Sequence, residues 1–555
     1  MIGGGLSLAL VPAPLVLAAL LIYGLPSRAH QPARVAGASA CAVTLALLGL
    51  SAAQISGGGR IEVSYGAPVT GIDVLVRADA LGMLLSAAAT AMAALALLER
   101  SRPPLEVGAL LVSVLGAVLA AIAGNAIVLF AGIEIATVGT ALGLAAGRRR
   151  PGRGAVAALT LMHLACLGVL AAAAQLLTAV GTAEFTALPD SAVVAAVAAP
   201  WAVGGAVLLL SPAVLPLRSP GGPCTILAGV GVVPAGITVL LRLREAANGS
   251  IPEPVVVALA VAGAAVALGG ALAAVRWAAS PLMSGRGLVL VSAAGVVAMS
   301  GVSTTPAAGA MAAGICSVVL ATGLASLWEA SGGSRSARWA GAAALAAAGG
   351  APTGFAVVAI ALEIAAALAL GGSGAALVVC FAVSGALAVT GASRAALNHL
   401  ATAPGRSTGR VSLVGIAALT ASLIAALLPG AVATWVISAL AGSGAVHSVG
   451  PAAATLPAGG WAQGYFLPAT LVVLMALVAV ARLQGWPLPA APAVPAGEPA
   501  PPRPTWSLAL SAGRRIRGPV RAGERLLGAV DGWLMVQPQL PLVLVAGVLA
   551  VVLIH

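Results

Sequence analysis

Runs of about twenty apolar residues recur along the whole chain, each closed by arginine, proline or glycine, and this spacing leaves little choice but membrane-crossing helices. A stretch of ~20 apolar residues is the length a helix needs to cross the hydrocarbon core. The chain is 60% hydrophobic and only 8% charged, so the runs are seldom interrupted. Read against their boundaries, they predict about sixteen spans, starting near residues 4, 35, 78, 104, 125, 155, 192, 222, 252, 286, 306, 337, 373, 410, 464 and 535. The expected fold class is therefore an all-α polytopic integral membrane protein. The first run has no basic segment before it and no obvious cleavage site, which predicts a retained span.

All 27 cationic side chains are arginine, and the chain has no lysine. Lysine is the cation whose pKa moves readily on burial, so a mechanism built on a reversibly protonated ammonium is excluded. Twenty-three arginines fall in loops after odd-numbered spans. Four, Arg60, Arg77, Arg242 and Arg244, fall in loops after even-numbered spans. The positive-inside rule then places the first set in the cytoplasm and both termini outside, in a multi-pass protein of the cell (inner) membrane. The same distribution accounts for the net charge of +12 without nucleic acid, so the expected surroundings are the lipid bilayer and other membrane subunits. Cys41, Cys166, Cys224, Cys316 and Cys380 lie in or beside separate apolar segments without metal spacing, so no metal, disulfide or other cofactor is expected.

Three segments depart from plain spans. Span seven carries Pro200, Pro212 and Pro216, and span twelve is interrupted by Gly349-Gly350-Ala351-Pro352-Thr353-Gly354. Both read as broken helices or, alternatively, as tolerated kinks. Two breaks five spans apart suggest inverted repeats. The implied divisions are a three-helix segment (1–103), repeats at 104–250 (spans four to eight) and 251–405 (spans nine to thirteen), and spans fourteen and fifteen at 406–483. A Pro/Ala linker with an amphipathic cytoplasmic helix, or a disordered basic loop, follows at 484–534, and a last span occupies 535–555.

Ionisable residues within spans are the first candidates for chemistry. Glu134 lies mid-span, and His163 in span six could neighbour it. They could form a proton relay, or each could be satisfied separately by a neighbouring helix or a backbone carbonyl. Glu363 follows the break in span twelve. Glu106 and Asp79 lie near span ends, where an interfacial position costs little. No nucleophile–base pair, phosphate loop or haem-ligand pair emerges, so no catalytic centre is expected in the chain itself.

The order of these features resembles the antiporter-like subunits of respiratory complex I (L, M and N type), shared with Mrp antiporters and group 4 membrane hydrogenases. Ile127-Val128-Leu129-Phe130-Ala131-Gly132-Ile133-Glu134 is similar to the family's apolar-Trp-Glu segment, with Ile133 where tryptophan is usual. Ser211-Pro212-Ala213-Val214-Leu215-Pro216-Leu217-Arg218 resembles its Lys-x-x-x-x-Pro-Leu-His stretch, and Gly350-Ala351-Pro352-Thr353-Gly354-Phe355 its Gly-x-Pro-x-x-Gly-Phe loop. The last span and the lateral segment resemble the L type, although the connection is shorter than a full lateral helix. The resemblance implies a subunit of a proton-translocating oxidoreductase, of the NADH-quinone or hydrogenase kind, working with other membrane subunits.

It also implies a path of buried lysines and histidines, and at these places the chain departs from the pattern. The span-seven lysine falls on Ser211, the span-eight lysine on Pro234, the span-eleven histidine near Ala313 and the span-twelve lysine or glutamate near Val358. Arg218 replaces a histidine, and only Glu134 is kept. The expectation is a structural or coupling subunit. The alternatives are a cation/proton antiporter or the membrane subunit of an inorganic-carbon transporter, for which the missing lysines are a difficulty, and an unrelated permease.

Overall fold

In lipid every backbone polar group needs an internal partner, so apolar runs become helices and irregular backbone gathers at their ends. The computed structural model describes residues 2–401, apart from 56–59, 68–72, 100–101, 147–152, 190–191, 215–227, 249, 279–280, 331–344 and 346–354. The first expected span is divided into α1 (Ile2–Leu10) and α2 (Ala13–Tyr23), with Pro12 at the junction. Then come α3 (His30–Gln54), strands β1 (Ile61–Ser64) and β2 (Leu75–Ala78), α4 (Ala80–Glu99), α5 (Pro104–Ala121), α6 (Ala126–Ala146), α7 (Arg153–Val180) and α8 (Ala195–Val214). A π-helical turn (Ala228–Val232) leads into α9 (Val233–Ala246), followed by α10 (Glu253–Arg276), α11 (Pro281–Met299), α12 (Thr305–Ala330), α13 (Phe355–Ala369) and α14 (Ala375–Ala401).

Eight stretches among the described residues are long and apolar enough to cross a membrane. The protein is a polytopic α-helical membrane protein. Spans fourteen to sixteen, the lateral segment and the Gly349–Gly354 interruption lie outside the described residues. α13 begins at Phe355, directly after that interruption. α8 passes through Pro200 and Pro212, while Pro216 and Arg218 lie outside the described residues.

Local sequence explains several helix ends. Pro104 occupies the first turn of α5, where a missing N–H costs nothing. α10 carries Glu253 in its first turn and Arg276 in its last, the polarity the helix dipole favours. Gly371, with φ of +68°, makes the left-handed turn between α13 and α14.

The loops following spans two, four and six meet one another. Val76 bridges Ala123, Asn125 bridges Glu184, and the Asn125 side chain donates to the Asp73 carbonyl at 2.6 Å. The loop after span nine meets the end of span thirteen, where Asn398 donates to the Ala278 carbonyl.

The two strands were not foreseen. They pair antiparallel, with Glu62 opposite Arg77 and Val63 opposite Val76. β1 alternates half-buried and exposed residues, whereas β2 is buried throughout because the chain after α5 covers its other edge. There the Gly124 N–H donates to the Leu75 carbonyl.

Small residues bring α5 and α6 together. A Cβ on Gly132 would collide with the Ala120 backbone, and one on Gly139 with the Ser113 backbone. Gly132→Ala is expected to cost about 1–3 kcal/mol, as overpacking does, without removing a charge. Thermal unfolding of the purified variant in detergent should show a lowered transition.

Candidate functional site

Glu134 and His163 come together. Glu134 projects from the middle of α6 and His163 from α7, with His163 Nδ1 2.9 Å from Glu134 Oε2. That is ion-pair distance. The other carboxylate oxygen, Oε1, is buried without a hydrogen-bond partner among the described residues. The side chains are 17% and 36% exposed, so the pair lies near the protein's outer face rather than deep in its core. Such a pair could share or hold one proton.

Glu363 is 2% exposed on α13 and does not join this pair. Its carboxylate occupies the notch left by Gly295 on α11, where any Cβ would strike Oε1. The positions at which a proton path would be expected are mostly apolar. Ala313 on α12 and Val358 on α13 are buried. Pro234 lies in the first turn of α9, and its carbonyl accepts the Thr238 hydroxyl. The Ser211 hydroxyl is buried and donates to the Leu208 carbonyl of its own helix at 2.9 Å. None of these four side chains is a protonatable group. Among the described residues no cluster of three or more His, Cys, Asp or Glu could hold a metal ion.

The densest electrostatic feature is one that sequence reading treated as loop and interfacial residues. Arg77 in β2 and Asp79, between β2 and α4, meet Arg242 and Glu245 at the end of α9. Arg242 donates to Asp79 at 2.6 Å and to Glu245 at 2.8 Å, and Arg77 reaches Glu245 at 2.7 Å and Asp79 at 3.0 Å. Both guanidinium carbons lie within 6 Å of the Phe185 ring, at 5.9 and 5.8 Å, a cation–π distance. Phe185 in turn packs against Trp201, whose indole donates to the Val239 carbonyl.

Two cations and two carboxylates make the cluster neutral, which is what burial demands. Asp79 is 2% exposed, so it is buried within the protein at the entry of α4. Burial pushes its carboxyl up, but Arg242 and Arg77 beside it, with hydrogen bonds from Arg242 and the Gly82 N–H, hold it below the usual carboxylate range. Glu106, in the first turn of α5, pairs at 3.6 Å with Arg102, just before that helix. A usable signal did exist. Three of the four arginines read in loops after even-numbered spans are Arg77, Arg242 and Arg244, and an arginine set apart from the majority at the end of an apolar run needs a specific partner.

No protein-family profile and no curated protein sequence matches the chain. Solved structures do. A chain of the Mrp complex from Dietzia sp. DQ12-45-1b superposes with a TM-score of 0.62 at 17% identity over 98% of this chain. This chain spans 63% of that longer one. A chain of the membrane-bound sulfane sulfur reductase, an archaeal respiratory membrane complex, gives 0.65 at 14% identity, covering 99% and 100% of the two chains. A chain of respiratory complex I from Thermus thermophilus with bound NADH gives 0.59 at 17% identity over 79% and 99%. The fold is that of the antiporter-like subunits. In this antiporter-like fold the Glu134–His163 pair sits on spans five and six, and the four-charge cluster joins the end of span eight to the entry of span three. The matched structures are all multi-subunit membrane complexes, and the likeness to them is one of architecture.

Proposed function

We propose that this chain is an antiporter-like membrane-arm subunit of a complex I-like or group 4 hydrogenase-like energy-converting complex, with a structural or coupling role in place of a complete proton path. One observation carries the reading: within an antiporter-like fold, the interior places assigned to titrating side chains hold Ser211, Pro234, Ala313 and Val358. A hydroxyl tied to its own helix and three side chains without a titratable group cannot pass a proton along. Glu134 and His163 retain one short link, and Glu363 stands apart from it.

The order of helix packing supports the two-repeat organisation. α5 packs on α6, α7 on α8 and α8 on α9; in the same sequence α10 packs on α11, α12 on α13 and α13 on α14. The repeats in this reading are 104–250 and 251–405, with the lateral helix at 484–534 and the last span at 535–555. Both termini face outside the cell membrane.

The likeness to an Mrp chain over 98% of the sequence favours one alternative, a cation/proton antiporter subunit; an inorganic-carbon transporter subunit belongs to the same class. Either requires a continuous ion path, and the four interior positions count against both. Purification in mild detergent, with identification of the co-purifying proteins, tests the proposal. The expected result is a stable assembly with other membrane subunits and a quinone-reactive or hydrogenase-type module. Recovery of the chain alone, catalysing ion exchange in vesicles, would contradict it.

A further inference from the structure

The last turn of α9 reads Arg242-Leu243-Arg244-Glu245, and its two arginines point to different neighbours. Arg242 Nη2 donates at 3.0 Å to the carbonyl of Ala121, the final residue of α5. Arg244 Nη1 donates to the carbonyls of Ser300 at 3.2 Å and Val302 at 2.7 Å, just beyond the end of α11, and lies 4.0 Å from the Met311 sulfur of α12. The last carbonyls of a helix lack intrahelical partners and carry the negative end of its dipole, so a guanidinium is well matched to them. Arg242 and Arg244 are 0% and 1% exposed. Glu245 and Asp79 balance Arg242 and Arg77, leaving Arg244 to meet the carbonyls beyond α11.

We propose that this turn is a clasp: Arg242 closes the end of α5 and Arg244 the end of α11, so that the two groups of helices move as one body. This goes beyond the proposed role, since the clasp stands whether or not the subunit passes protons. It is incompatible with a transport cycle in which one half rocks against the other, because such rocking would tear buried guanidinium groups from their acceptors. Two arginines are needed because residues two apart on a helix face in different directions.

Hydrogen exchange on the full-length protein in its purified assembly tests the clasp. The probes are the Ser300 and Val302 amides, bonded to the Val296 and Met299 carbonyls, and the Arg77 and Gly82 amides, bonded to the Ile122 carbonyl and the Asp79 carboxylate. In the unmodified protein both ends should open with a common rate. Arg244→Gln should speed exchange at Ser300 and Val302 at least tenfold while leaving Arg77 and Gly82 within twofold. Arg244→Lys, which keeps the charge but not the fork, should give a smaller increase at the same amides. Independent opening of the two ends in the unmodified protein would overturn the proposal, as would unchanged exchange at Ser300 and Val302 in Arg244→Gln. The wild-type measurement decides the matter even if a variant fails to assemble.

Discussion

Asp79→Asn is expected to destabilise the protein by about 3–5 kcal/mol, the cost of breaking a buried ion pair from one side. The substitution leaves Arg77 and Arg242 sharing Glu245 alone, in a site where Asp79 is 2% exposed and accepts from Arg242 at 2.6 Å. It also weakens the start of α4, because the Asp79 carboxylate accepts the Gly82 N–H at 2.7 Å. The pH dependence has a definite sign. The folded carboxyl is held below its ordinary value, so its contribution is fully present above the unfolded value of roughly 3.9 and is lost as pH falls through the folded value. Unfolding of the wild type should therefore show no pH dependence from this group between about pH 5 and 8, where its contribution is fully present, and a loss in stronger acid. The asparagine variant should be less stable at neutral pH and lack that acid-dependent part. Equal stability of the two proteins at pH 7 would show that the cluster is not a stabilising element.

Placing a lysine at Ser211 is expected to cost up to about 2.5–3.5 kcal/mol, the order of the penalty for a charged side chain within a membrane helix. Ser211 is 1% exposed, and its hydroxyl is already bonded to the Leu208 carbonyl, so a lysine there must bury its ammonium. Reduced yield of assembled protein and no gain in proton movement are the expected outcomes. A Ser211→Lys variant that assembles normally and moves protons faster than the wild type would mean that the path is merely interrupted at this one position.

The places where sequence and structure agree share a physical cause. Long apolar runs have one solution in lipid, so α3, α4, α5, α6, α7, α10 and α14 could be anticipated from length and hydropathy alone. The Glu134–His163 contact was within reach of sequence reasoning, since the two spans are consecutive and joined by a short loop. The hairpin was not, because β2 is held by the chain that follows α5 and not by any pattern of its own. The four-charge cluster was hidden for the same reason: Arg77 and Glu245 are 168 residues apart, and Asp79 and Arg242 are 163. Read locally, Arg77, Arg242 and Arg244 are loop charges at the ends of apolar runs. Only their position against the arginine majority hinted that each had a buried partner.

The central claim of the proposed function is that this protein does not carry a working proton path of the kind its fold resemblance would imply. Glu134→Gln tests it most directly, because Glu134 is the one position that keeps the residue the sequence resemblance implies for a proton path, and His163 lies 2.9 Å away. The measurement is proton translocation per turnover by the purified complex reconstituted in vesicles, wild type against variant. The account predicts intact assembly and an unchanged proton yield. Lost translocation in a fully assembled Glu134→Gln complex would contradict it.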